Sequence, residues 1–255
     1  MSGGDDLGIF GLELQHALRQ PGCPICRLKH ETARRYIRDL LGENVTDPNA
    51  RTHIRRGLGF CSEHTWQLYD TARTEFVHGA GISIIYEDLT HSILAGLREF
   101  KARLPADAPA QRHWWQRGWA RVRAAFARRS PAIVKLDRLQ PKAQCRVCFY
   151  AEANERNNIQ RLAQMCADAG FCAEYTASDG MCLGHLRPAL EWATQVDPGV
   201  AHFMADTAAT RLSALVADLG EYGRKRAWQY RHEVMTPGEQ DSPRWASQFF
   251  GGQDR

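Results

Sequence analysis

The sequence contains no apolar run approaching the roughly 18 residues that a membrane-spanning helix needs. Its first residues, Met1-Ser-Gly-Gly-Asp-Asp, are acidic and lead into no apolar stretch of secretory type. The expectation is a soluble, cytoplasmic protein without a signal peptide. Charge of one sign is also scarce: 33 Lys plus Arg against 29 Asp plus Glu leave a formal charge of +4. That balance is too weak by itself to argue for nucleic acid. Three common catalytic signatures are missing: a Gly-rich phosphate loop, a nucleophile elbow and the zinc-protease pattern His-Glu-x-x-His. Activities that depend on those motifs are excluded, and no catalytic residue is assigned.

What remains has the ordinary balance of a folded globular protein, with 255 residues, 44% of them hydrophobic and 24% charged. That length suits one large or two small domains. The chain has eight cysteines. In a reducing compartment cysteines in C-x-x-C pairs read as metal ligands or reactive thiols before they read as disulfides.

Six of the eight fall into one repeated pattern. Cys23-Pro-Ile-Cys26 is followed by Cys61-Ser-Glu-His64, and Cys145-Arg-Val-Cys148 by Cys182-Leu-Gly-His185. The gaps nearly coincide, with 35 positions from Cys26 to Cys61 and 34 from Cys148 to Cys182, and the copies are offset by 122. Gly59 precedes Cys61 by two as Gly180 precedes Cys182, and Ser92-Ile-Leu94 lies as far beyond His64 as Ser213-Ala-Leu215 lies beyond His185. A unit of about 120 residues that was duplicated accounts for this self-similarity.

A C-x-x-C turn aims two thiolates at one point, and a Cys and a His three apart on the first turn of a helix project from one face. Cys23, Cys26, Cys61 and His64 therefore form one expected ligand set, and Cys145, Cys148, Cys182 and His185 the other. Three thiolates and one imidazole close a tetrahedron around a divalent ion and leave no open position for substrate, which is structural zinc usage. The expected cofactor is zinc, two per chain. An iron–sulfur cluster is the alternative, because thiolate-rich sites also hold clusters and one His can replace a Cys there. The competing account, free cysteines and capping histidines filling a helical core, would fit one isolated copy better than two. Glu63 stands between Cys61 and His64 in the place of a candidate general base, but Gly184 occupies the matching place in the second copy.

Periodicity predicts an all-α fold of two tandem, homologous helical units, each pinned by its own Cys3His site. Leu28, Tyr36, Ile37, Leu40 and Leu41 mark an amphipathic helix before Gly42, and residues 149–168 answer it in the second copy. Long helical stretches follow each His, from Trp66 to Phe100 and from Leu190 to Tyr222. The expected organisation is a first metal-binding repeat over 1–105, a basic Trp- and Arg-rich connector over 106–130, a second repeat over 131–235 and a flexible tail over 236–255, which is rich in Pro and Gly.

Two further segments are candidate partner-binding elements. The connector interleaves Trp114, Trp115, Trp119 and Phe126 with Arg117, Arg121, Arg123, Arg128 and Arg129. Such a segment suits nucleic acid, an anionic membrane surface or an acidic partner, and equally suits a linker helix packed between the units. In the tail, Trp245, Phe249 and Phe250 would share one side of an induced helix, a format that partner grooves recognise. Cys166 and Cys172 have no counterparts in the first copy, where Asn44 and Ala50 stand 122 positions earlier. A redox pair is conceivable there, but nothing marks a reactive thiol.

The string Cys23-Pro-Ile-Cys26, with Gly57-Leu-Gly-Phe-Cys61-Ser-Glu-His64-Thr-Trp66, resembles an uncharacterised family of bacterial proteins marked by C-P-x-C and G-F-C-x-x-H signatures. The likeness covers most of residues 15–225, and the second copy departs from it with Arg146 for Pro and Met181 for Phe. The resemblance implies no activity. The leading expectation is a zinc-binding helical adaptor or interaction module with a protein partner. A thiolate-based redox sensor and a nucleic-acid-binding protein using Arg112, Arg117, Arg121, Arg123, Arg128 and Arg129 are the alternatives, and the sequence names neither a partner nor an oligomeric state.

Overall fold

The computed structural model describes residues 8–76, 80–103 and 137–252, and among these every regular element is helical. The elements are α1 (Gly8–Leu18), α2 (Pro24–Asp39), a π-helical turn (Leu40–Asn44), α3 (Pro48–Arg56), α4 (Ser62–Glu75) and α5 (Ala80–Arg103). After a short turn (Asp137–Leu139) come α6 (Arg146–Met165), α7 (Ala169–Ala177), α8 (Leu183–Val196), α9 (Pro198–Arg226), a second short turn (Trp228–Tyr230) and α10 (Pro237–Gly251). The connector residues Trp114, Trp115, Arg117, Trp119, Arg121 and Arg123 lie outside the described residues.

Local chemistry sets these boundaries. Asp47 and Asp168 cap α3 and α7, their carboxylates accepting from the amides of Ala50 and Phe171. The stretch after His185 is broken where Asp197 caps α9 and Pro198 takes its first position, the place a proline fits best. α3 matches α7 at 9 residues, and α4 matches α8 at 14.

The chain divides into two compact units, one formed by residues 1–36 together with 149–255 and the other by residues 37–148. In the first, Leu14, Leu18, Ile25 and Leu28 from α1 and α2 share one core with Ile159 and Leu162 of α6, Phe171 and Tyr175 of α7, and Leu186 of α8. Burial of side chains of this size is the main favourable term, about 1.5–3 kcal/mol each. The second unit buries Ile37, Leu40, Leu41, Ile54, Leu68, Ala72, Ile85 and Leu89. This division by packing is not the sequence division at 1–105 and 131–235. Packing partners are selected by complementary apolar faces wherever they stand in the sequence, and the face of α1 and α2 is buried against α6, α7 and α8.

Residues 237–251 correct another expectation, because they form a helix rather than a flexible tail. Thr236 caps it, its hydroxyl accepting from the Glu239 amide while the Glu239 carboxylate accepts from the Thr236 amide. Pro237, which suggested a break, occupies the first helical turn. The Glu239 carboxylate also pairs with Lys225 of α9 at 2.7 Å, with both side chains largely out of solvent. Hydrogen bonding to Lys225, then to the Thr236 backbone, lowers the Glu239 pKa below the usual carboxylate range. α10 packs on α9 and α8.

Candidate metal centres

All four ligand pairs sit in the same local frame. Cys61 and Cys182 occupy the N-cap positions of α4 and α8 in extended backbone, with φ −65° and −67°, so that His64 and His185 fall on the first turn. Cys23 and Cys145 directly precede α2 and α6, and the Cys23 carbonyl accepts from the Arg27 amide as an N-cap does. Each C-x-x-C therefore also opens a helix, whereas its spacing alone predicts only a turn. Helix N-termini carry partial positive charge, so each pair stands where a negatively charged donor set is favoured.

Two residues before Cys61 and Cys182, Gly59 and Gly180 adopt φ +101° and +76°. A side chain at Gly180 would also collide with the Arg211 guanidinium. These are the matched glycines of the two copies, and the left-handed backbone they adopt explains their residue type.

The pairs do not combine as the sequence order suggested. Cys23 and Cys26 meet Cys182 and His185, and Cys145 and Cys148 meet Cys61 and His64. In each group the four ligand atoms lie within 4.8 Å of one another. Each C-x-x-C is thus completed by the C-x-x-H of the other copy. The two halves carry chemically equivalent pairs, so ligand type cannot decide the partnership and helix packing does.

In the first centre Cys26 Sγ is 3.7 Å from Cys182 Sγ, and His185 Nδ1 is 3.4, 3.4 and 3.1 Å from the sulfurs of Cys23, Cys26 and Cys182. In the second, Cys61 and Cys148 are 3.6 Å apart, and His64 Nδ1 is 3.1, 3.7 and 3.2 Å from Cys61, Cys145 and Cys148. Zinc with bonds of about 2.3 Å to sulfur and about 2.0 Å to nitrogen has tetrahedral edges of about 3.8 Å between sulfurs and about 3.5 Å between sulfur and nitrogen. The donor set fits a single metal ion.

Thiols crowded this closely cannot all ionise without a cation. Hydrogen bonding with Cys182, then with Cys26, pushes the Cys23 thiol far up, while the same contact with Cys23 draws Cys182 far down. Burial, followed by the contact with Cys61, raises Cys148. A divalent ion removes this conflict by neutralising the thiolates together.

The centres differ in their surroundings. All four ligands of the first are buried, whereas Cys61 and Cys148 of the second are partly exposed. In the first, His185 Nε2 donates to Glu155 at 2.8 Å, and the other Glu155 oxygen pairs with Lys29 at 2.7 Å. The His185 hydrogen bond, with further help from Lys29, holds the Glu155 carboxyl at about 2. Such a carboxylate fixes the ring so that Nδ1 faces the three sulfurs, as a metal-ligating histidine requires. It stands seven residues beyond Cys148 on α6, and the repeated pattern gave no signal for it because Ala33 lies 122 positions earlier. The end of α10 also reaches this centre, because a side chain on Gly252 would meet Cys26 Sγ at 3.2 Å. Replacing Glu155 by Ala is expected to weaken metal binding at this centre by about 10- to 100-fold and leave the other unchanged. Competition with a chromophoric chelator should resolve one weakened and one unaltered site, and two equal affinities would remove the role given to Glu155.

The remaining sequence candidates separate. Trp245 is 44% exposed and Phe250 70%, whereas Phe249 packs against the core. They do not form one common exposed face. Cys166 is buried and burial raises its thiol to about 12, which suits an inert core cysteine; the Cys172 thiol donates to the Cys166 carbonyl at 3.0 Å. No described helix is long and apolar enough to cross a membrane. No curated protein and no solved structure matches this chain. A family match does cover residues 9–250, and on that match the chain belongs to the family of unknown function DUF6062.

Proposed function

We propose that the protein is a helical interaction module held in shape by two structural zinc ions, one in each Cys3His group. The observation that carries this reading is the spacing of the ligand atoms. In each centre four of the six edges between ligand atoms are 3.1–3.7 Å and all six lie within 4.8 Å, which suits four bonds to one ion. In an iron–sulfur cluster the protein ligands are distributed over several irons, so they stand apart by more than the width of one ion. Four protein ligands leave no open coordination position, which favours a structural role over a catalytic one.

The interaction role is supported by apolar surface that the fold leaves uncovered. Trp66 is 64% exposed beside Tyr69 at 47%, directly after the metal ligand His64, and the two rings stack edge to face. Trp228 is 76% exposed beneath the Arg231 guanidinium. Aromatic and arginine side chains of this kind are enriched where proteins meet. Duplication of an ancestral unit is supported by the paired lengths of α3 with α7 and α4 with α8 and by the two left-handed glycines. A reducing, cytoplasmic location accords with eight cysteines that are all free.

Elemental analysis and an absorption spectrum of protein purified without oxygen test the metal. Two zinc ions per chain and no visible band are expected. Iron with sulfide and a brown chromophore would replace this reading with an electron-transfer or sensing role.

A further inference from the structure

Within the unit formed by residues 1–36 and 149–255, a cleft of about 550 Å³ opens between the end of α7, α9 and α10. That volume is in the range of small-molecule sites. Its apolar wall is supplied by Met181, Leu186, Leu212, Leu215, Trp245 and Phe249, and Cys23 and Cys182 form part of one side. Among the charged groups on the wall, two have evident structural roles. Arg211 donates to the carbonyls of Tyr175 and Thr176, so its charge complements the C-terminal end of α7. Asp179 accepts from the Gly22 amide at 2.6 Å and ties the loop before Cys23 to the loop before Cys182.

Asp218 of α9 and Asp241 of α10 also line the cleft, and neither makes a hydrogen bond or ion pair within the described residues. Asp218 lies seven residues beyond Arg211, about 10 Å along the helix, so this end is separate from the guanidinium. Gly238 faces it, where a side chain would stand 3.1 Å from the Asp218 carboxylate, and the glycine leaves that carboxylate open. Asp218 is half-buried and Asp241 exposed at the mouth of the same cleft, so two like charges face one apolar wall, and a cation placed there relieves their repulsion. The half-exposed Trp245 ring adds a surface that attracts cations.

We propose that the cleft binds an amphipathic organic cation, with its apolar body against Leu212, Leu215 and Phe249 and its amine or quaternary ammonium head at Asp218 and Asp241. Anionic amphiphiles are disfavoured by the same two carboxylates. Because Cys23 and Cys182 border the cleft, the ligand lies alongside the first metal centre without displacing a ligand from it.

The test uses the full-length, metal-loaded protein and three probes sharing one decyl chain, namely decyltrimethylammonium, decyl sulfate and decyl glucoside, each below its micelle concentration. Calorimetry should give one decyltrimethylammonium per chain, bound at least about tenfold more tightly than either other probe, since two carboxylates and the Trp245 ring attract the ammonium, repel the sulfate and gain nothing from the neutral glucoside. Asp218→Asn with Asp241→Asn should erase that preference while decyl glucoside still binds. Metal content of two per chain verifies that a variant is folded, and the single substitutions replace the double one if it loses metal. Equal affinities for the three probes, no saturable binding, or a preference that survives in the folded variants overturns the proposal.

Discussion

Changing Cys26 to Ser together with His185 to Ala should cost the protein one metal ion, whereas changing Cys26 to Ser together with His64 to Ala should cost it both. The first pair removes two ligands from one centre, and the second pair removes one ligand from each. Had the ligands been grouped in sequence order, the outcomes would be reversed. Structural zinc binds with roughly 10–16 kcal/mol in small domains, so losing one of four ligands from a buried site is expected to abolish retention during purification. Mass spectrometry under native conditions counts the ions directly. One ion in the Cys26/His64 variant with none in the Cys26/His185 variant would refute the exchanged pairing. The single variant Cys26→Ser gives a control, since either grouping predicts one ion for it.

Complete removal of metal should have the largest effect on the fold. A domain's net stability is about 5–15 kcal/mol, comparable with or smaller than the binding energy of one structural zinc. Stripping the ions leaves Cys23, Cys26 and Cys182 crowded within one core cluster with the buried His185 against them. It also leaves the ends of chain segments far apart in sequence without the bond that closes them. A strong chelator is therefore expected to abolish most of the helical circular dichroism cooperatively, and zinc should restore it. Helical signal and melting temperature that survive complete demetallation would show that the centres are not structural.

The two Cys and His groupings were legible because the same donor pattern occurs twice in the sequence, and the helical class followed from apolar periodicity with little alternation. Which pairs meet was not legible. A C-x-x-C carries the same chemistry wherever it stands, and the choice depends on the long-range burial of Leu14, Leu18, Ile25 and Leu28 against α6, α7 and α8. For α10 the information was present and outweighed. Thr236-Pro-Gly-Glu239 is a capping box with proline in the first turn, but the density of Pro and Gly suggested a flexible tail. Glu155 was invisible for another reason: its function arises only where α6 passes His185, and nothing within its own segment reports that proximity.

The exchanged pairing also imposes an order on synthesis. Neither centre can be completed until Cys145 and Cys148 have left the ribosome, although Cys23, Cys26, Cys61 and His64 are available long before. The 81 residues from His64 to Cys145 take about 4–16 s to translate at 5–20 residues per second. Throughout that interval the nascent chain displays three thiols and an imidazole, a full complement for one ion in a combination that the finished protein does not use. On the zinc reading proposed above, an ion captured then would have to be surrendered before the native centres close, and the timing of zinc delivery would bear on the yield of folded protein.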